Sequence, residues 1–166
     1  PTITVTGANT GISTVHVVSE LSPAGGNAEC KYFTKKAVLS PGNDSQDLRV
    51  YYTAYRPSGT NIYVFYKLLN TNDTSKFDDN GWQLMTTVGQ NKNVFSPTRN
   101  DLYEFEAAPG SGGTADNYIT YTSSTGQTYN SFIQFAIKVV MATSDRTSVP
   151  IITDIRAIAL PSGTGL

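Results

Sequence analysis

Residues 47–68 read DLRVYYTAYRPSGTNIYVFYKL, two alternating runs around the break RPSGT. In the first run the even positions are Leu48, Val50, Tyr52 and Ala54, and the odd ones are Asp47, Arg49, Tyr51, Thr53 and Tyr55. In the second the even positions are Ile62, Val64, Tyr66 and Leu68, against Asn61, Tyr63, Phe65 and Lys67. A period of two puts each set on one face of a sheet. The even set is rich in aliphatic residues and is expected to face a core, with Tyr52 and Tyr66 as core rings. The odd set carries every charge, so Tyr51, Tyr55, Tyr63 and Phe65 are expected to be surface rings. With Pro57 early and Gly59 free to take a positive φ, RPSGT is expected to close an antiparallel hairpin.

The same pattern continues in both directions. Residues 2–6 (TITVT) and 14–21 (TVHVVSEL) read as strands, separated from the next run by the loop SPAGGN. Residues 28–39 mix aromatic, valine and lysine residues and suit an edge or bent strand, lysine being a usual guard against edge-to-edge pairing. Downstream, 82–88, 101–107, 117–122, 131–141 and 150–160 read as strands. The run 131–141 is expected to be central, because Ile133, Phe135, Ile137, Val139 and Met141 are all apolar. Trp82 is expected to lie against the core. No stretch of useful length has a helical period. Short strands at regular spacing predict one all-β domain over 1–166, a mostly antiparallel, jelly-roll-like β-sandwich with 161–166 as a flexible tail.

Composition narrows the function. With Lys+Arg at 12 and Asp+Glu at 13, the formal net charge is -1, which argues against a nucleic-acid partner. No apolar run approaches the ~20 residues of a membrane span, so membrane insertion is not expected. Neither is a signal peptide, because no charged segment precedes an apolar stretch at the N-terminus. A start at Pro1 suits a removed initiator Met or a piece of a longer protein. Cys30 is the only cysteine, which leaves no internal disulfide and no thiolate metal site.

Candidate chemistry is sparse. His16, the sole histidine, sits mid-strand with no nucleophile elbow near it. Glu104 and Glu106 share a strand face, as paired glycosidase carboxylates would, but neighbouring glutamates on an exposed face are ordinary. Asp73, Asp78 and Asp79 crowd one loop and are the candidates for oxygen ligation of a cation, although their spacing departs from the EF-hand loop. Asn43-Asp-Ser and Asn72-Asp-Thr match glycosylation acceptors, a match frequent in chains rich in Asn and Thr. No cofactor and no enzyme activity are expected. The surface rings Tyr51, Tyr55, Tyr63 and Phe65 are the interface or ligand-stacking candidates.

The segment 47–85 resembles a block in structural proteins of tailed phages, chiefly T4-like contractile-tailed viruses and their marine and cyanobacterial relatives. The resemblance rests on Ala54-Tyr55-Arg56-Pro57, Gly59-Thr60, Ile62 to Lys67, Phe77-Asp78-Asp79 and Trp82-Gln83. The closing run SDRTSVPIITDIRAIAL (144–160) is similar to the end of such domains. The resemblance implies a non-enzymatic part of a tail or baseplate, made in the host bacterial cytoplasm and located in the virion. Its implied partners are other tail proteins and further copies of itself. The alternative is a carbohydrate-binding sandwich that recognises a host glycan.

Overall fold

The computed structural model describes residues 30–110, 119–143 and 147–161. The strand expectations for 2–6 and 14–21, the role of His16 and the tail beyond residue 161 lie outside those residues. The all-β, antiparallel class expected from the sequence is what the structure has. In chain order the strands are β1 (Cys30–Phe33), β2 (Ala37–Val38), β3 (Ser45–Tyr55), β4 (Thr60–Leu69), β5 (Gln83–Val88), β6 (Tyr103–Pro109), β7 (Tyr121–Thr122), β8 (Thr128–Tyr129), β9 (Gln134–Thr143) and β10 (Ile151–Pro161). One 3₁₀ turn, Phe77–Asp79, lies in the loop after β4.

One sheet runs in the order β1-β9-β4-β5-β6-β3-β10, with β2 also on β9, and β7 and β8 form a separate small ribbon. Every neighbouring pair is antiparallel. In place of the two separate layers expected of a sandwich, the structure has a single curled sheet, a half-barrel with two halves. The halves are joined through β5, whose first residues Gln83 and Leu84 pair with β4 and whose later residues Met85 to Val88 pair with β6.

The hairpin expectation for 47–68 is corrected here. β3 pairs with β6 and β10, and β4 with β9 and β5. RPSGT is therefore a crossover from one half of the curl to the other. Alternation reports only which face a side chain takes, so a hairpin and an arch look alike in the sequence. The crossover is closed by its own chemistry. Gly59 takes φ +79, and Pro57 O accepts from Thr60 N at 3.2 Å and Thr60 Oγ1 at 2.7 Å. Arg56 fastens it to the loop after β5: Arg56 N donates to Ser96 Oγ at 3.0 Å and Arg56 O accepts from Ser96 N at 2.7 Å. The Arg56 guanidinium donates to Lys92 O at 3.0 Å and lies 4.7 Å from the Phe95 ring centre.

The face assignments within the runs hold. Leu48, Val50, Tyr52 and Ala54 from β3 and Ile62, Val64, Tyr66 and Leu68 from β4 are all buried in one cluster. The two sets meet across the core. Phe105, Ile137, Val139, Phe132 and Phe135 complete it. The Tyr52 and Phe105 rings stack with centres 5.3 Å apart. Tyr66 donates from its hydroxyl to Gln83 Oε1 at 2.7 Å, and burial pushes its pKa up to about 12.

Trp82 is a second correction. It lies on the convex side of the sheet, edge to face with Phe33 at 5.8 Å. It stands one residue before β5, and the outward Leu84 shares its parity. The expected central position of 131–141 is met by β9, which pairs with β1 and β2 on one side and β4 on the other.

Val64 is 2% exposed, and burying such a side chain contributes about 1.5–3 kcal/mol. An ionised carboxylate in its place adds a desolvation cost of several kcal/mol. Val64→Asp is expected to abolish the cooperative thermal transition followed by circular dichroism, whereas exposed Thr86→Asp on β5 should move it by no more than a few degrees.

Candidate functional site

Because the curl turns one face of the sheet inward, its convex face is the surface offered to other molecules. β3 and β4 lie in different halves, so Tyr51 and Tyr55 are carried by one half and Tyr63 and Phe65 by the other. The four rings do not form one platform. Phe65 is not a surface ring at all: it is 3% exposed.

What covers Phe65 is a cluster of lysines and aromatic rings. The register aligns Phe33, Lys138, Phe65 and Leu84 in a row across β1, β9, β4 and β5. Lys138 Nζ lies 4.2 Å from the Phe65 ring centre and 5.1 Å from that of Trp82. Lys67 Nζ is 5.1 Å from Trp82 and 5.8 Å from Phe77, and donates to Asp78 O at 3.0 Å. Lys36 approaches the other reach of Phe77 at 5.4 Å. Ring faces attract cations through their quadrupoles, which offsets part of the cost of removing ammonium groups from water. Lys138 is 1% exposed. Its burial, and then the positive charges of Lys31 and Lys67, lower its pKa to about 8. Around this cationic centre Phe33 and Leu84 stand half exposed, at 51% and 50%.

The other half of the convex face is a stripe of alternating charge. Arg49 Nε donates to Asp47 Oδ2 at 2.9 Å and Arg49 also meets Glu106 Oε1 at 3.2 Å. Arg156 pairs with Glu104 and, at 3.0 Å, with Asp154. Glu104 and Glu106 do share a face, as expected, but each is matched to an arginine. Tyr51 stands opposite Glu106 and Arg156 in the register. Burial, and then Glu106, raises its phenol above the ordinary value. A hollow of about 110 Å³ beside it is lined by Tyr51, Gly89, Asn91, Glu104 and Glu106.

The loop aspartates divide. Asp78 and Asp79 are exposed on the 3₁₀ turn. Asp73 points inward, where Ser75 N at 2.9 Å, Tyr121 OH at 2.8 Å and Asn80 Nδ2 at 3.2 Å all donate to its carboxylate. Asn80 bonds Leu68 O at 3.0 Å and accepts from Ser124 N at 2.9 Å. The Asp73 oxygens are thus occupied by protein donors, and the loop staples the β7–β8 ribbon to the end of β4. Among the described residues no three His, Cys, Asp or Glu side chains are grouped to hold a metal ion. Phe33, Leu84 and Lys138 were missed as surface-building residues, because only the register brings them into one row. A lysine among apolar neighbours in 131–141 was the one visible sign.

Comparison with known proteins found no matching family model, no similar curated protein and no similar solved structure.

Two pH dependences follow. Burial alone would raise the Asp73 pKa, but the donors Ser75, Tyr121 and Asn80 outweigh it and hold it below the ordinary 3.8. A depressed carboxylate contributes stability above the unfolded value that is lost as pH falls through the folded one. Asp73→Asn is therefore expected to lower stability in urea by about 1–3 kcal/mol at pH 6, with the gap to the unaltered protein narrowing at pH 3. Lys138 has the opposite signature. Its folded pKa of about 8 lies below the ordinary 10.5, so the unfolded chain binds more protons between those values and stability rises with pH across that window. Lys138→Met should flatten that rise, as measured by urea titrations between pH 7 and pH 10.5.

Proposed function

We propose that this protein is a non-enzymatic structural component of a bacteriophage tail or baseplate, working through contacts with other tail proteins and with copies of itself. The observation that carries the proposal is the convex patch on which Phe33 and Leu84 stand half exposed around Trp82 and a lysine-rich centre. Apolar side chains grouped on an outer face mark a contact surface, and aromatic anchors with a polar rim are the usual make-up of a protein interface.

The resemblance of 47–85 to tail proteins gives this reading its setting, and the positions that carry it suit a scaffold. Arg56, Pro57, Gly59 and Thr60 build the crossover. Phe77 supports Lys67, and Trp82 supports both Lys67 and Lys138. None of these roles involves turnover.

The glycan alternative has its own observation, the Tyr51 hollow bordered by Glu104, Glu106 and Asn91. Carboxylates, an amide and one ring could orient a sugar hydroxyl edge. The hollow is small, and its carboxylates are engaged with Arg49 and Arg156, so the assembly reading is preferred.

Leu84→Glu tests the preference. A half-exposed side chain contributes little to the fold, so the melting temperature of the isolated protein should stay within about 3 °C. Incorporation into particles during complementation should fall by about tenfold or more, as loss of an interface anchor would require. Normal incorporation of Leu84→Glu, together with loss of glycan-array binding in Tyr51→Ala, would put the glycan reading in its place.

A further inference from the structure

Asn80-Gly81 is the only Asn-Gly step in the sequence. Such a step loses its side-chain amide more readily than other asparagine steps, because no side chain hinders the approach of the glycine nitrogen to the preceding carboxamide. A glycine after asparagine commonly serves a turn, but Gly81 does not. It is not among the described glycines with positive φ. A Cβ added to it would meet no atom within 4 Å. Neither backbone conformation nor space requires glycine at this position.

The asparagine, by contrast, is fully engaged. Asn80 is 3% exposed. Its Oδ1 accepts from Ser124 N at 2.9 Å and from Ser75 Oγ at 3.0 Å. Its Nδ2 donates to Leu68 O at 3.0 Å and to Asp73 Oδ2 at 3.2 Å. A backbone donor at one end and a backbone acceptor at the other fix which atom is oxygen and which is nitrogen. One carboxamide thus ties together the end of β4, the loop after it and the turn between β7 and β8. Turning it toward Gly81 N breaks these bonds in a buried place, where each lost partner is costly.

We propose that Asn80 is a guarded deamidation site, at which opening of the loop after β4 is converted into permanent loss of the β7–β8 attachment. Once the loop opens, Gly81 N attacks Asn80 Cγ. The N–Cγ bond forms, the Cγ–Nδ2 bond breaks, and Nδ2 leaves as ammonia with the proton from Gly81 N. Water then opens the succinimide at either carbonyl, giving aspartate or isoaspartate. The sum is carboxamide plus water to carboxylic acid plus ammonia. At neutral pH the product cannot rebuild the closed arrangement. Its carboxylate has no proton for Leu68 O, and it would stand against Asp73 Oδ2, where like charges repel. The isoaspartate form also lengthens the main chain by one carbon just ahead of Trp82, the ring that supports Lys67 and Lys138. The inference is independent of the proposed role in a virion.

Peptide mapping by mass spectrometry of the full-length protein, held at mildly alkaline pH, tests it. Asn80 should convert about tenfold faster or more in guanidinium chloride that unfolds the chain than in native buffer. Ser75→Ala removes one donor to Oδ1 and should speed native-state conversion by about threefold to tenfold. Adding Gly81→Ala to that variant should slow conversion again by about tenfold or more, with an unchanged circular dichroism spectrum, since the Cβ has room. Asn80→Asp should speed hydrogen exchange of the β7–β8 ribbon by about tenfold or more while amides in β4 and β9 change little. Should Asn80→Asp fail to fold, the deamidated fraction of the unaltered protein, separated by charge, is measured in its place. Conversion that is equally fast in folded and unfolded chains, or absent from both, would overturn the proposal. So would a native rate indifferent to Ser75→Ala or Gly81→Ala, or a ribbon equally protected after deamidation.

Discussion

The crossover between β3 and β4 is the constraint on which the rest of the architecture hangs. It sends two consecutive alternating runs to opposite halves of one sheet, so that Leu48, Val50 and Tyr52 meet Ile62, Val64 and Tyr66 face to face. Had the same residues formed a hairpin, both runs would lie in one half and the core would need a second apolar layer from elsewhere. The clamp at Arg56 makes the crossover specific. Its backbone is bonded to Ser96 on both sides, and its guanidinium is held between Lys92 O and the Phe95 ring. From this joint follow the sharing of β5 between the halves and the placement of β9 and β10 as outer neighbours of β4 and β3.

Faces were legible in the sequence and neighbours were not. Period-two alternation assigned the inward residues of β3 and β4, because that pattern is local and the pleat enforces it; in the run 131–141 it misses Phe132, a core ring at an even position. Strand pairing is a long-range property, so the pattern around RPSGT could not distinguish a turn from an arch. The same limit explains the candidate site. Phe65 follows the parity of Tyr63 and Lys67 and was rightly placed outward. Its burial depends on Lys138 and Trp82, brought over it by β9 and β5. An outward position on a sheet is a surface position only if no neighbour's side chain leans across it. Asp73 is a parallel case: the sequence offers a carboxylate in a polar loop, and only the distant Tyr121 shows that the carboxylate is spent within the fold.

The convex face thus has two characters on one continuous sheet. On the β1-β9-β4-β5 side, lysines are held against rings, and burial makes that arrangement costly for Lys138. On the β6-β3-β10 side, arginines and carboxylates neutralise each other near solvent, where such pairs contribute about 0–1 kcal/mol each. The first side concentrates apolar contact and lysine side chains, and the second spreads arginine–carboxylate pairs. A partner that covers the first side meets aromatic edges and aliphatic lysine stems. One that covers the second has to displace or extend existing ion pairs.

The pairing of β3 with β10 also governs when the protein can fold. Thr153 Oγ1 bonds Thr53 O across 100 residues, and β10 is the last of the described strands to be made. A ribosome that has finished β4 holds the inward residues of β3 with neither sheet neighbour available, since β6 and β10 are still unsynthesised. Long-range antiparallel pairing of this kind is slow to form, and uncovered strand edges in the waiting chain invite association with other chains. Chains cut short before Ile151 would leave one whole flank of β3 uncovered at the moment the rest of the sheet assembles, so premature termination should yield aggregates rather than a smaller version of the domain.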